Sequence, residues 1–358
     1  MLWRRHAFPP SLPIYPHRLY STKTAEPLRI LFCGSDEFSI TSLRALDDAR
    51  QKDAGLIESI EVVHRPGKRT GRGLKVIREV PIKQHASHLH LPTHELDTFT
   101  NWTPPVPINL IIAVSFGLLV PPRILSLAKY GGLNVHPSLL PDFRGAAPIH
   151  HTLLQARSHT GLSIQTLHPK HFDHGTILAQ TPAPGIPIPP QSTPMGLTQT
   201  LAPLGASLLL DVLKSRAFVP PLEDRGWYTG PPVSPAPKIT KKDSGICFAT
   251  MGSTEVLHRH HVLGDLWGTL QTGERIVMHS VHPTQYRCSS DDGLVPQEGQ
   301  SAQGEEGFYQ RCSDGAIVVV EESTVAGGKR GGGRRFVERM IREDDGEGRT
   351  GWRSRPVQ

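Results

Sequence analysis

The sequence predicts an α/β chain: a doubly wound domain built on a parallel-rich sheet, followed by a smaller β-rich domain. Three observations predict it. The run Leu28-Arg29-Ile30-Leu31-Phe32-Cys33 is almost wholly apolar and ends in Gly34-Ser35, the pattern of a strand buried on both faces that leads into a tight turn. Helical spacing (Phe38, Leu43, Leu46) and a second strand-like run, Ile60-Glu61-Val62-Val63, come next, so the chain opens strand–turn–helix–strand. Beyond Lys238 the pattern changes to short β-like pieces separated by turn residues. A length of 358 residues is more than one hydrophobic core organises comfortably, which agrees with two domains.

From Met1 to Ala25 there is no acid, whereas Arg4, Arg5, Arg18 and Lys23 are all cationic. Pro9, Pro10, Pro13 and Pro16 break any apolar core of the secretory type, so residues 1–25 are expected to be a mitochondrial transit peptide. Arg18-Leu19-Tyr20-Ser21-Thr22 has the form of a matrix-protease site, with cleavage after Tyr20. The bland alternative is a basic tail with no address.

The first domain is expected over residues 26–216. After its second strand comes Arg65-Pro66-Gly67-Lys68-Arg69-Thr70-Gly71-Arg72-Gly73-Leu74-Lys75, a glycine-punctuated loop with five cations and no acid. Such a segment is either a phosphate-touching arm or a solvated surface loop. Asn109-Leu110-Ile111-Ile112-Ala113-Val114 and Gly132-Leu133-Asn134-Val135-His136 are further strands. Ligands of open α/β sheets sit beyond the carboxyl ends of strands, which places Asn134 and His136 where chemistry is expected. Leu197, Leu201, Leu204, Leu208 and Val212 keep helical spacing, with a kink expected at Pro203.

Proline density from Pro220 to Pro237 marks residues 217–242 as a stiff interdomain linker. The β-rich domain follows over 243–343. Its clearest strands are Trp267–Gln271, Arg275–His279 and Ala316–Val320. A basic cluster (Lys329, Arg330, Arg334, Arg335, Arg339, Arg342) closes it, and 344–358 reads as a disordered tail.

Net charge is +6 and the pI is about 9.2, a balance that suits polyanionic partners and is also common in mitochondrial proteins. The four cysteines (Cys33, Cys247, Cys288, Cys312) form no C-x-x-C pair, against a zinc ribbon or a secreted disulfide framework. No run of 18 apolar residues exists, so no membrane span is expected. His258, His260 and His261 lack the i,i+4 pairing of helical zinc motifs and are expected on a solvated or RNA-facing surface.

The candidate chemistry lies in Asn134-Val135-His136-Pro137-Ser138-Leu139-Leu140-Pro141-Asp142-Phe143-Arg144-Gly145-Ala146-Ala147-Pro148-Ile149. In a strand, Asn134 and His136 face the same side. An amide donor beside an imidazole suits an oxygen that gains negative charge. Asp173, in the loop before the next strand, is placed to orient His136 or to take a proton. Singly, each is more often a structural residue; the combination raises the odds.

That stretch closely resembles the signature of the folate-dependent formyltransferases, and the resemblance extends over residues 28–340. Its Arg-Gly-Ala-Ala-Pro-Ile ending is similar to the branch that uses methionyl-tRNA, Val62–Lys75 looks like the loop that enters the acceptor stem, and Lys238–Asp243 looks like the entry to the C-terminal domain. The resemblance implies a Rossmann-like formyltransferase domain followed by an OB-like tRNA-binding domain. It implies transfer of the formyl group of 10-formyltetrahydrofolate, without a metal, to the α-amine of methionyl-tRNA for mitochondrial translation initiation. By the same resemblance Asn134, His136 and Asp173 are the catalytic trio; Ser138, Leu139, Leu140 and Pro141 line the folate site; and Arg69, Arg72 and Lys75 bind tRNA. The implied partners are the initiator methionyl-tRNA and the folate co-substrate, not a membrane, for a monomer in the mitochondrial matrix. Two departures stand out: Gly34-Ser35-Asp36-Glu37-Phe38 lacks the proline common in bacterial members, and Asp173-His174-Gly175-Thr176 replaces Asp-Thr-Gly-Asp. Rival readings are a glycinamide ribonucleotide formyltransferase, a folate hydrolase and a non-catalytic RNA-binding scaffold.

Overall fold

Strand β1 (Leu28–Gly34) is buried along nearly its whole length, as its apolar run requires, and it pairs in parallel on both sides. The computed structural model describes residues 23–269, 273–287, 308–325 and 327–331. In chain order the first unit continues with α1 (Glu37–Lys52), β2 (Ile57–His64), β3 (Lys68–Thr70), β4 (Val76–Arg78), α2 (Pro81–His88), β5 (Thr93–Glu95), β6 (Leu110–Val114) and α3 (Pro122–Leu125). Then come β7 (Gly132–His136), α4 (Pro148–Leu154), β8 (His159–Thr160), β9 (Ser163–Thr166), β10 (Ile177–Gln180), β11 (Ile186–Pro187) and α5 (Pro194–Lys214). The second unit holds α6 (Ser253–Leu263), β12 (Leu266–Thr269), β13 (Arg275–Arg287), β14 (Phe308–Arg311) and β15 (Ala316–Val325).

Seven strands form the main sheet in the order β10-β9-β7-β6-β1-β2-β5. The five strands from β7 to β5 are parallel, whereas β9 and β10 run antiparallel to their neighbours. Helix α1 starts where Asp36 accepts the Ser39 amide at 3.1 Å, and its Phe38, Leu43 and Leu46 are buried. The expected α/β architecture is therefore present.

Helix α5 runs as one helix with Pro203, the residue expected to kink it, in its interior. Its buried stripe is Leu197, Leu201, Ala202, Gly205, Ala206, Leu209, Val212 and Leu213, while Leu204 and Leu208 are half-buried. By length and composition α5 alone among the described helices could cross a bilayer, yet it packs against α1, β7, β9 and β10 as a core helix.

The basic segment after β2 is not a plain loop. It forms a two-stranded antiparallel hairpin, β3 with β4, closed through a 3-10 turn at Arg72–Leu74. Gly71 and Gly73 take φ of 78° and 74°, which explains the glycine punctuation. Its strands are three residues each and largely exposed, so they carry no apolar alternation that a sequence could show.

The second unit is a four-stranded antiparallel sheet, β12-β13-β15-β14, with α6 packed on it around Ile246, Phe248, Val256, Leu266, Ile276 and Met278. This is the expected β-rich domain. Most of the expected transit peptide, Cys288, the cluster residues Arg334, Arg335, Arg339 and Arg342, and the tail 344–358 lie outside the described residues.

Candidate active site

Strand β7 carries Asn134 and His136 to its carboxyl end on one face, as period-2 geometry dictates. Asn134 Nδ2 donates to the Ala113 carbonyl of β6 at 2.9 Å, which occupies one of its two amide hydrogens. His136 is 4% exposed; Nε2 hydrogen-bonds the Phe143 carbonyl at 3.0 Å and Nδ1 lies 3.4 Å from Asp173 Oδ1. The three side chains singled out by sequence thus converge on one point. A direct oxyanion contact from His136 Nε2 would have to displace the Phe143 carbonyl; the second hydrogen of Asn134 Nδ2 needs no such rearrangement.

Asp173 is fixed from several sides. Its φ is +57°, and its Oδ2 accepts the Gly145 amide at 2.9 Å. Arg144 Nε donates to the Asp173 carbonyl at 2.7 Å. Its loop is closed by His168, whose Nδ1 accepts the Lys170 and His171 amides at 3.2 and 3.1 Å. Gly175 admits no side chain, since a Cβ there would stand 1.7 Å from the Thr166 carbonyl oxygen.

Ser138, Leu139 and Leu140 are buried and Pro141 is half-buried. Ser138 Oγ donates to the Asp142 carbonyl at 2.7 Å, Ser163 Oγ to the Ser138 carbonyl at 2.8 Å, and Gln180 Nε2 to the Leu140 carbonyl at 2.9 Å. These bonds fix the path of the segment as it leaves β7. Arg69 and Lys75 are exposed on the β3–β4 hairpin and Arg72 heads its turn, so the basic trio forms an element separate from Asn134, His136 and Asp173.

Two features escaped sequence reasoning. Gln165, 1% exposed on β9, donates from Nε2 to both Asn134 Oδ1 (3.1 Å) and Asp173 Oδ1 (2.9 Å). The second is the proline-rich linker, which is strapped across the loop that holds the site. Asp142, 4% exposed, accepts the Ser234 amide at 2.8 Å and the Tyr228 hydroxyl at 3.0 Å. Phe143 N donates to the Ser234 carbonyl, Ala236 N to the Arg144 carbonyl and Ala147 N to the Ala236 carbonyl at 2.8, 2.7 and 3.1 Å. Burial, and then the hydrogen bond to Asp142, push the Tyr228 phenol up to about 12. Ultraviolet titration should find one of the six tyrosines ionising well above the ordinary value of about 10, and Asp142→Asn should bring it down. An unshifted tyrosine population would contradict the strap.

The histidines of α6, expected on a solvated or RNA-facing surface, have protein partners, and His261 is exposed. His258 Nε2 donates to the Leu153 carbonyl at 2.8 Å and His261 Nε2 to the Gln191 carbonyl at 2.9 Å, so both join the two domains. His260 bonds Gly264 O and Val281 N within its own domain. No group of three or more His, Cys, Asp or Glu among the described residues is placed to hold a metal.

Residues 28–213, more than half of the chain, match the family model described as Formyl transferase. The chain belongs to the formyl transferase family. This formyltransferase is 36% identical over 279 residues to the mitochondrial methionyl-tRNA formyltransferase of Saccharomyces cerevisiae, covering 67% of this chain and 69% of the relative. It is 38% identical over 241 residues to the Mus musculus enzyme of the same name, of which it spans only 58%. A putative methionyl-tRNA formyltransferase of Schizosaccharomyces pombe is 30% identical over 302 residues, covering 77% of this chain and 84% of the relative. Among solved structures, the sugar 3N-formyl transferase WlaRD, with dTDP and 5-N-formyl-THF, superposes with a TM-score of 0.53 at 13% identity, covering 83% of this chain and 98% of that one. That likeness is one of fold.

Proposed function

We propose that this formyltransferase moves the formyl group of 10-formyltetrahydrofolate to the α-amine of methionyl-tRNA, giving formylmethionyl-tRNA for mitochondrial translation initiation. The observation that carries it is the convergence of Asn134, His136 and Asp173 beyond the end of β7, in a chain whose relatives bear that activity in their names. The amine attacks the formyl carbon, forming a new C–N bond and a tetrahedral oxyanion. Asn134 donates to that oxygen from its open amide hydrogen. Asp173, set beside His136, accepts the proton that the amine loses, and that proton passes through His136 or a water to N10 as the bond to N10 breaks. Tetrahydrofolate and the formylated aminoacyl-tRNA leave. The loop 138–141 borders the folate, and the Arg69, Arg72 and Lys75 hairpin holds the acceptor stem through phosphate contacts. The enzyme works as a monomer in the mitochondrial matrix, a placement supported by its mitochondrial relatives and by the acid-free residues 1–25.

The test offers methionyl-tRNA and glycinamide ribonucleotide in parallel, with labelled 10-formyltetrahydrofolate as donor. Label on methionyl-tRNA alone is the expected result. Label on the ribonucleotide would move the chain to the purine branch, and label on neither would point to a hydrolase or a dead scaffold.

A further inference from the structure

Gln165 occupies a place in the site that the catalytic trio does not account for. It lies directly opposite Asn134 in the antiparallel pairing of β9 with β7, so the two side chains emerge on the same face of the sheet. A carboxamide has two N–H donors and one acceptor oxygen. In Gln165 Nε2 faces Asn134 Oδ1 at 3.1 Å and Asp173 Oδ1 at 2.9 Å, and Oε1 accepts the Gly175 amide at 3.2 Å. Turning the amide over would set Oε1 against two acceptor oxygens and the NH2 group against the Gly175 N–H. The orientation is therefore determined by its surroundings.

This fixes the amide of Asn134 in turn. With Oδ1 held by Gln165 and one Nδ2 hydrogen held by Ala113, the remaining hydrogen is the donor left for the reacting carbonyl. The same Gln165 amide ties Asp173 Oδ1, while Gly145 ties Oδ2.

We infer that Gln165 is a positioning residue that sets the donor end of Asn134 and the carboxylate of Asp173 relative to each other, without touching the substrates. The inference rests on the formyl-transfer reading above. Freed of Gln165, Asn134 is held by the Ala113 carbonyl alone, so its open hydrogen swings off line, and Asp173, left with Gly145 on Oδ2, shifts. Both changes act on the reacting geometry and not on substrate binding, so kcat falls and KM stays.

The test compares wild type, Gln165→Met and Gln165→Glu in the full chain, with labelled 10-formyltetrahydrofolate and methionyl-tRNA. Gln165→Met is expected to lower kcat by roughly 10–10²-fold with little change in either KM. Gln165→Glu keeps the shape but sets a carboxylate against Asp173, where His136 is the facing titratable group and Arg144 reaches only the backbone carbonyl. The like charge moves the acid limb of its kcat profile to higher pH relative to wild type. Full kcat in Gln165→Met would overturn the inference. So would equal losses in both variants at every pH that track a lowered melting temperature, because a purely structural role predicts that pattern. If Gln165→Met does not fold, the acid limb of Gln165→Glu decides: a shift supports the inference and an unmoved limb overturns it. An inactive wild type would instead overturn the formyl-transfer reading.

Discussion

Asn134→Ala should lower kcat for formyl transfer by about 10²–10³-fold, the usual cost of losing one oxyanion donor. Both nitrogens of His136 are engaged by protein, Nε2 by Phe143 O and Nδ1 by Asp173, whereas Asn134 spends one amide hydrogen on Ala113 and keeps another. Removing the amide deprives the developing charge of its nearest open donor. It also leaves the Ala113 carbonyl one bond short, a loss of about 1 kcal/mol that lowers the melting temperature only slightly. Asn134→Asp should be at least as damaging, because the shape is kept while an oxygen replaces the donor. Single-turnover rates with labelled donor separate the two effects. A rate within a few-fold of wild type for Asn134→Ala would remove this residue from the chemistry.

The second large effect is structural. Gly145→Ala should destabilise the fold by roughly 2–5 kcal/mol. Gly145 sits at φ +129°, a conformation that side chains rarely adopt, and a Cβ there would lie 2.3 Å from the Ala236 carbonyl oxygen. Ala236 is completely buried, and the contact is backbone, so no rotamer change relieves it. Either the linker lifts away from residues 143–147 or the loop shifts and withdraws the Gly145 amide from Asp173. Stability and turnover should therefore fall together. Denaturant midpoints measured beside kcat check this; a loss under about 1 kcal/mol with full activity would contradict it.

What the sequence disclosed and what it concealed divide along contact range. Leu28–Cys33 and Asn109–Val114 announced themselves because a strand buried on both faces must be almost wholly apolar. Asn134 and His136 were visible because a two-residue spacing in a strand is a local statement about direction. Asp173 was a candidate from its place in the loop before the next strand, but its anchoring by Gly145 and Arg144 was not legible, since they approach from another segment. Gln165 gave no local sign. Its place follows from the register of β9 against β7, and the run Ser163-Ile164-Gln165 reads as an ordinary strand. The proline-rich segment declared its stiffness but not its partner, because the bonds from Ser234 and Tyr228 to Asp142 span a wide gap in sequence. The partners of His258 and His261 were hidden for a related reason. The two histidines lie on a polar helix surface, and only the docking of the second domain turns that surface toward carbonyls of the first.

The strap bears on where the catalytic unit ends. The family match stops at residue 213, and α5 closes at Lys214. A fragment cut there would hold every member of the trio yet be incomplete. Asp142, almost fully buried, would keep Arg157 at 3.5 Å but lose Tyr228 and Ser234, and the backbone groups of Phe143, Arg144 and Ala147 would lose their partners. A catalytic fragment must therefore reach at least Pro237, whose carbonyl bonds His151. A chimera given a different C-terminal domain must carry residues 227–237 with the first domain, as native tail and not as exchangeable spacer.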